Sequence, residues 1–170
     1  AIHPEEVRIA IIDGKVLTEL EIDSNTGKKL KGNIYKAKIA RIEPSLQAAF
    51  VDIGTKKNGF LQINDIHPAY FKDKAKARRT KDIRIQDVLE PGQELVVQVV
   101  KEERGLIGAT LTTYLSLPGR YLVLMPGSER GGVSRKIADG DQRMRLKKLS
   151  AELELPAGIG VIIRTAGIDR

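Results

Sequence analysis

Two of the chain's three phenylalanines, Phe50 and Phe60, stand in short apolar stretches, AAFVDIG and NGFLQI, of a sequence that is only 4% aromatic. A phenyl ring on a strand can do one of two things. It can stack on an unpaired base, a contact worth about 1–3 kcal/mol and indifferent to base identity, or it can fill a core. Position alone leaves both open. A second chemistry resides in Arg164-Thr165, which follow the apolar run Val161–Ile163. Arginine presents a planar fork of N–H donors and threonine adds a hydroxyl, the pairing that a terminal phosphate needs. Taken alone, the same dipeptide is an ordinary strand end. The segment Arg130-Gly131-Gly132 can offer backbone N–H groups to phosphate, although a surface loop is the simpler reading.

The basic residues are clustered. Residues 72–84 (KDKAKARRTKDIR) hold Lys72, Lys74, Lys76, Arg78, Arg79, Lys81 and Arg84 against Asp73 and Asp82. Lys28, Lys29 and Lys31 form a second group. A third comprises Arg130, Arg135, Lys136, Arg143, Arg145, Lys147 and Lys148. Overall 29 Lys and Arg oppose 22 Asp and Glu, a net charge of +7. Such clusters attract polyanions and displace counterions from phosphates; for any one of them a solvated charged face is the alternative.

Composition also excludes. With no Cys there is no disulfide, thiolate zinc site, iron–sulfur cluster or Cys nucleophile, which is compatible with a reducing compartment. Two histidines, His3 and His67, leave little for a multi-His metal site. No apolar run approaches the roughly 18–20 residues of a membrane span, and no signal peptide opens the chain. The start AIHPEE lacks an initiator Met, which suits a fragment or a processed product. Asp13 and Asp52 stand beside a Gly or at a strand end and are read as turn residues, not catalytic carboxylates.

The elements that must position these residues are mostly strands. VRIAIIDG (Val7–Gly14) is an apolar strand ending in an Asp-Gly hairpin signal, and Lys15–Ile22 pairs with it. From Asn33 a period of two begins: Ile34, Lys36, Lys38 and Ala40 alternate with Tyr35, Ala37, Ile39 and Arg41. Strands are also predicted over Leu46–Ile53, Gly59–Ile63, Glu94–Lys101 and Ile107–Tyr114, with turns at Pro44-Ser45, Gly54–Asn58 and Glu90–Gln93. The basic run lies between as a long insertion. Five short strands between about 33 and 115 suggest a small Greek-key barrel of the OB type; another small β-barrel or a sandwich is the alternative. After Pro118-Gly119 comes a strand expected to be fully buried, Tyr121–Met125, and then another over Gly132–Ile137. Asp139 or Asp141 can cap a helix with Leu146, Leu149 and Leu153 on one face, ended by Pro156 and Gly158. Gly160–Thr165 closes a β–helix–β unit. The fold class is therefore α+β, mainly β.

The longer segments GNIYKAKIARIEPSLQAAFVDIGTKKNGFL, GQELVVQVVKEERGLIGATLTTYLSLPGRYLVLMP, GGVSRKI and LELPAGIGVIIRTAG resemble the ribonuclease E/ribonuclease G family in order and over nearly the whole chain. RIEPSLQAAFVD, KEERG and IIRTAG are the specific pieces. The resemblance implies that 1–31 is the first part of an RNase-H-like subdomain, 32–116 an S1 domain with an OB-fold, and 117–170 part of a sensor for a 5′-monophosphate. It implies that Phe50 and Phe60 are exposed on one barrel face and hold single-stranded RNA. It further implies that Arg164 and Thr165, with Val123 and Arg135 beside them, bind the 5′ phosphate. It departs at Ile107, where the family commonly has a lysine that contributes to RNA handling. Lys101 or Arg104 then supplies that charge, or the chain grips RNA less there. Lys76, Arg78 and Arg79 add general RNA affinity.

By the same resemblance the whole protein is a cytoplasmic endoribonuclease of RNA processing and mRNA decay, using Mg²⁺ and in many members a structural Zn²⁺. It forms a homodimer or tetramer and meets RNA-degradation partners through other regions. The family's catalytic Asp pair lies in a later subdomain, so the present chain is expected to hold no metal and to cleave nothing alone. A stand-alone S1-type RNA-binding or ribosome-associated protein without nuclease activity is the competing reading.

Overall fold

The computed structural model describes residues 2–3, 6–24, 29–72, 83–103, 107–128 and 131–168. They fall into two units, Ala1–Leu30 and Lys31–Arg170. The first is an antiparallel sheet in the order β1 (Ile2–His3), β2 (Glu6–Asp13), β3 (Val16–Ser24). Gly14, at φ 60°, makes the predicted hairpin turn between Asp13 and Val16, a backbone region that a Cβ disfavours. Ile9, Ile11, Ile12, Val16, Leu17 and Leu20 are all exposed.

The second unit begins with a closed five-stranded barrel. Its strands are β4 (Ile34–Glu43), β5 (Ala48–Asp52), β6 (Gly59–Gln62), β7 (Glu94–Lys101) and β8 (Thr110–Thr112), paired around the barrel as β4-β5-β6-β8-β7. Only β6 and β8 run parallel; β7 returns antiparallel to β4. The interior is small and aliphatic: Ala37, Ile39, Ala49, Val51, Leu61, Leu95, Val97, Val99 and Leu111 are buried. Closure leaves no edge for another chain to extend. Closure also needs close approach at two glycines. A Cβ on Gly59 would overlap the Leu111 side chain, and one on Gly108 would overlap the Asn58 carbonyl.

Several strands are shorter than the apolar pattern predicts. Pro44–Leu46 forms a 3₁₀ turn, and Gln47 takes a left-handed φ of 48°, so β5 starts at Ala48. The Gln47 amide donates to the Pro44 carbonyl at 2.7 Å. Its Oε1 accepts from the Ile85 N–H at 2.9 Å, at the start of a one-turn helix, α1 (Ile85–Val88). Strand β8 stops at Thr112 because the Thr113 N–H turns away to the Asp65 carbonyl, at 2.8 Å. Buried Gln98 donates to the Gly32 and Ser116 carbonyls, at 3.0 and 2.8 Å, and so ties β7 to the chain leaving the barrel.

That chain forms a second sheet in the order β11 (Gly132–Val133), β12 (Ile159–Ile163), β10 (Leu122–Pro126), β9 (Leu117–Pro118). Helix α2 (Gly140–Glu152) lies against β11 and β12. Asp139 is the cap, accepting from the Gln142 N–H at 2.7 Å. Two expectations need correction here. Strand β10 is not fully buried: Leu122 is exposed and Val123–Pro126 are half-buried, and Leu122 lines an open cavity with Leu146, Leu149 and Leu153. Leu146, Leu149 and Leu153 share one helix face and line that common cavity with Leu122 and Ile163; Leu146 is buried against Val133, Ile137 and Ile163, and Leu149 and Leu153 are exposed. The strand expected over Gly132–Ile137 ends at Val133. Ile137 N–H turns back to the Ser134 carbonyl, and Arg143 donates to the Ser134 and Ile137 carbonyls at 2.8 and 2.9 Å.

Candidate nucleic-acid interface

Phe50 on β5 and Phe60 on β6 are directly opposite each other in the antiparallel register. Alternation sends Ala49, Val51, Gly59 and Leu61 inward, so both rings lie on the outer face of the barrel. Each is half-buried, and their centroids are 5.9 Å apart at an interplanar angle of 64°, an edge-to-face pair. The Arg41 guanidinium covers Phe50, 4.6 Å from its centroid. Strict alternation would have put Arg41 inside with Ile39. A bulge between Ile39 and Arg41 shifts the register and brings Arg41 opposite Phe50. Arg41 is thus a cation of this face that the period-two pattern concealed.

The two rings open onto a cavity of about 530 Å³ whose other walls are Leu46, Lys57, Asn58, Ile107 and Gly108. Ile107 and Gly108 also border a neighbouring polar groove with Lys31, Lys101, Glu102, Glu103 and Thr110. Lys101 is exposed at the end of β7. Lys57 pairs with Glu103 at 3.6 Å. Glu94 at the other end of β7 is paired with Lys36 at 2.8 Å. The Lys36 hydrogen bond and charge hold its carboxyl below the ordinary carboxylate range.

Of the basic run, the described members are paired within the barrel unit: Lys72 with Glu90, and Arg84 with Asp87 at 2.9 Å. The expectations for Lys76, Arg78, Arg79, Arg104 and Arg130 lie outside the described residues. Gly132, the last residue of the Arg130-Gly131-Gly132 segment and the first of the predicted strand, opens β11 and pairs with Ile162.

The second group of candidate residues gathers at one end of the second sheet. Strands β11 and β12 are parallel, with Val133 paired to Ile163, and the Ser134 N–H donates to the Ile163 carbonyl at 2.8 Å. Both strands therefore deliver the residues that follow, Arg135 on one side and Arg164-Thr165 on the other, to the same end. Val123 pairs with Ile162 on the antiparallel neighbour, one step back from that end. Arg135, Arg164 and Thr165 are exposed and Val123 is half-buried.

Arg164 is anchored by its backbone N–H to the Tyr121 carbonyl at 2.8 Å and by Nη1 to the Gly119 carbonyl at 2.6 Å. These bonds hold the guanidinium against the β9–β10 turn. Thr165 opens the 3₁₀ turn Thr165–Gly167. Gly167 is buried there; a Cβ would press on the Ile163 side chain and the Tyr121 carbonyl, both at 3.2 Å. The third basic cluster divides. Arg135 faces solvent, whereas half-buried Arg143 secures the β11–α2 loop from beneath. Charge counting could not separate those two roles, which depend on the loop carbonyls.

Two family models match the chain: the S1 RNA binding domain over residues 28–112 and the Ribonuclease E/G family over residues 116–170. Ribonuclease E of Escherichia coli K12 is 52% identical over 100% of the chain, which corresponds to 16% of that protein. Putative ribonuclease E of Buchnera aphidicola (Baizongia pistaciae) is 50% identical over 100% of the chain and 41% of its own length. Ribonuclease G of Escherichia coli K12 is 45% identical over 97% of the chain and 34% of its own length. The chain thus spans less than half the length of each of these relatives.

Proposed function

Because the chain belongs to the ribonuclease E/G family and carries an S1 RNA-binding domain, we propose that it is the RNA-binding and 5′-end-sensing part of an endoribonuclease. Its domains would be 1–31, the first part of an RNase-H-like subdomain; 32–116, the S1 domain; and 117–170, part of the 5′ sensor. In this reading Phe50 and Phe60 hold single-stranded RNA, and the end of the second sheet receives a 5′ monophosphate. The match over 116–170 favours this over a stand-alone S1 protein.

The observation that carries the 5′-end reading is the parallel pairing of β11 with β12, with both strand ends bearing an arginine. A terminal monophosphate carries up to two charges and several acceptor oxygens. Arg164 and Arg135 would neutralise it, and the Thr165 hydroxyl would complete the donor set. Val123 would pack against the terminal nucleotide. Anchoring of Arg164 by Gly119 and Tyr121 supports a fixed rather than a floppy cation, which a selective pocket requires. A hydroxyl end would leave both cations unpaired.

Among the described residues no group of His, Asp and Glu stands close enough to hold a metal ion. Because the chain spans less than half the length of its relatives, cleavage with Mg²⁺ and structural Zn²⁺, oligomerisation and contact with other RNA-degrading proteins are proposed for the whole protein, with action in RNA processing and mRNA decay in the cytoplasm. No helix among the described residues is long and apolar enough to cross a membrane.

The test compares two otherwise identical single-stranded A/U-rich oligonucleotides, one 5′-monophosphorylated and one 5′-hydroxylated. The chain is expected to prefer the first, and Arg164→Ala to erase the preference while leaving affinity for the second nearly unchanged. Equal loss for both would make Arg164 a general phosphate contact and end the sensor reading.

A further inference from the structure

One arginine at the end of the second sheet belongs to none of the basic clusters. Arg120 stands between Gly119 and Tyr121, at the tip of the turn that joins β9 to β10. Pro118 pairs with Val123, and the Gly119 N–H donates to the Leu122 carbonyl at 2.7 Å, which closes the turn. Arg164 grips this turn on both sides of Arg120. Its Nη1 donates to the Gly119 carbonyl at 2.6 Å and its backbone N–H to the Tyr121 carbonyl at 2.8 Å. The backbone of Arg120 is therefore fixed beside Arg164, at the sheet end that also bears Arg135 and Thr165.

The Arg120 side chain is exposed, and its guanidinium carbon stands 5.3 Å from the centroid of the Tyr121 ring. That attraction orients the head group and leaves N–H edges free to donate. Tyr121 is half-buried and borders the cavity that Leu122 shares with Leu146 and Leu149, which holds the ring in place.

Charge points to the occupant. Among the described residues no carboxylate lies within ion-pair distance of Arg120, Arg135 or Arg164, whereas Lys36, Lys57, Lys72 and Arg84 each hold one. Like charges gathered at one sheet end make an anion site. A terminal monophosphate brings up to two negative charges, and each phosphodiester after it brings one more. The third cation matches the next phosphate along the strand. Resting on the 5′-end reading above, we infer that Arg120, braced on Tyr121, binds the first internucleotide phosphate of an RNA whose 5′ monophosphate occupies Arg164 and Arg135. The site then reads two successive phosphates, so it selects the end of a strand over a free mononucleotide. A second phosphate on the same 5′ end would offer the same chemistry, and the test separates the two.

The test uses the intact, isotopically labelled chain and four probes. They are a 5′-monophosphorylated trinucleotide, the same trinucleotide with an uncharged methylphosphonate as its first linkage, and a mononucleotide with one or with two 5′ phosphates. Affinity is read from the backbone amide shifts of Arg164 and Thr165, which report the 5′-end site apart from the barrel face. The parent should bind the unmodified trinucleotide about threefold to tenfold more tightly than the methylphosphonate form, the size of one charge-assisted contact. Arg120→Gln should bind the two trinucleotides alike and the monophosphorylated mononucleotide as the parent does. Its salt slope for the unmodified trinucleotide should be shallower by about 0.7, one phosphate contact on a single strand. Its melting temperature should be nearly that of the parent, since an exposed cation–π contact contributes little.

A methylphosphonate effect that survives Arg120→Gln, or an equal loss of affinity for both trinucleotides, would overturn the inference. So would a loss confined to the diphosphorylated mononucleotide, which would make Arg120 a contact for a second terminal phosphate. If the monophosphorylated mononucleotide still shifts Arg164 and Thr165 in those cases, the 5′-end reading stands and only the role of Arg120 falls. If no probe shifts them, both fall.

Discussion

Replacing Phe50 and Phe60 by alanine, singly and together, separates a binding surface from a core. A fully buried Phe lost to alanine costs about 3–5 kcal/mol. These rings are half-buried, on the outer side of β5 and β6, so the expected cost for Phe60→Ala is about 2 kcal/mol by the same scale. Phe50→Ala should cost about 0.5–1 kcal/mol more, because the Arg41 guanidinium 4.6 Å from its ring centroid loses its partner. The edge-to-face geometry at 5.9 Å predicts a coupling of about 0.5–1.5 kcal/mol in the double-mutant cycle. RNA affinity should fall by about 1–3 kcal/mol for each ring, roughly 5- to 150-fold. Urea unfolding gives the first set of numbers. Anisotropy with a short single-stranded oligonucleotide, at temperatures where each variant is folded, gives the second. A stability loss above about 3 kcal/mol with unchanged affinity per folded molecule would show that the rings are core, and would refute the reasoning.

Arg143→Ala should destabilise the second unit by about 1–3 kcal/mol, since two loop carbonyls lose a charged donor. By loosening Arg135 it should also reduce discrimination between phosphorylated and hydroxyl 5′ ends, read in the same binding assay. Glu94 should titrate below the usual carboxylate range, and Lys36→Ala should raise it, as followed by NMR of the side-chain carboxyl. A depressed carboxylate stabilises the fold above its unfolded-state pKa and loses that contribution as pH falls through the folded value; for so exposed a pair the change in melting temperature should be slight. Incubated with Mg²⁺ and a monophosphorylated A/U-rich oligonucleotide, the chain alone should return intact substrate; cleavage that survives repurification would contradict the expectation that the family's catalytic Asp pair lies outside these residues.

The barrel was legible because its signals are local. Glu94–Lys101 begins and ends where its apolar pattern says, and Pro91-Gly92 marks the turn before it. What the pattern missed depends on contacts between distant residues. The bulge that turns Arg41 onto Phe50 interrupts a period of two that looks unbroken in sequence. Gln47 meets Ile85, far along the chain, to start α1. The early end of β11 reflects Arg143 claiming two carbonyls. For the site, the chemistry of Arg164-Thr165 is readable from residue type, but an isolated strand end would read the same way. Family resemblance supplied its role as an expectation, as well as those of Arg135 and Val123. The parallel register of β11 and β12 explains how residues so far apart in sequence share one end of a sheet.

The most direct test is a titration of isotopically labelled chain with the two oligonucleotides that differ only at the 5′ end, followed by backbone amide shifts. The account predicts that Phe50, Phe60 and Ile107 respond to both RNAs. Ser134, Arg135, Arg164 and Thr165 should respond to the monophosphorylated RNA alone. Identical shifts at the second group with either RNA, or none with the phosphorylated one, would contradict it.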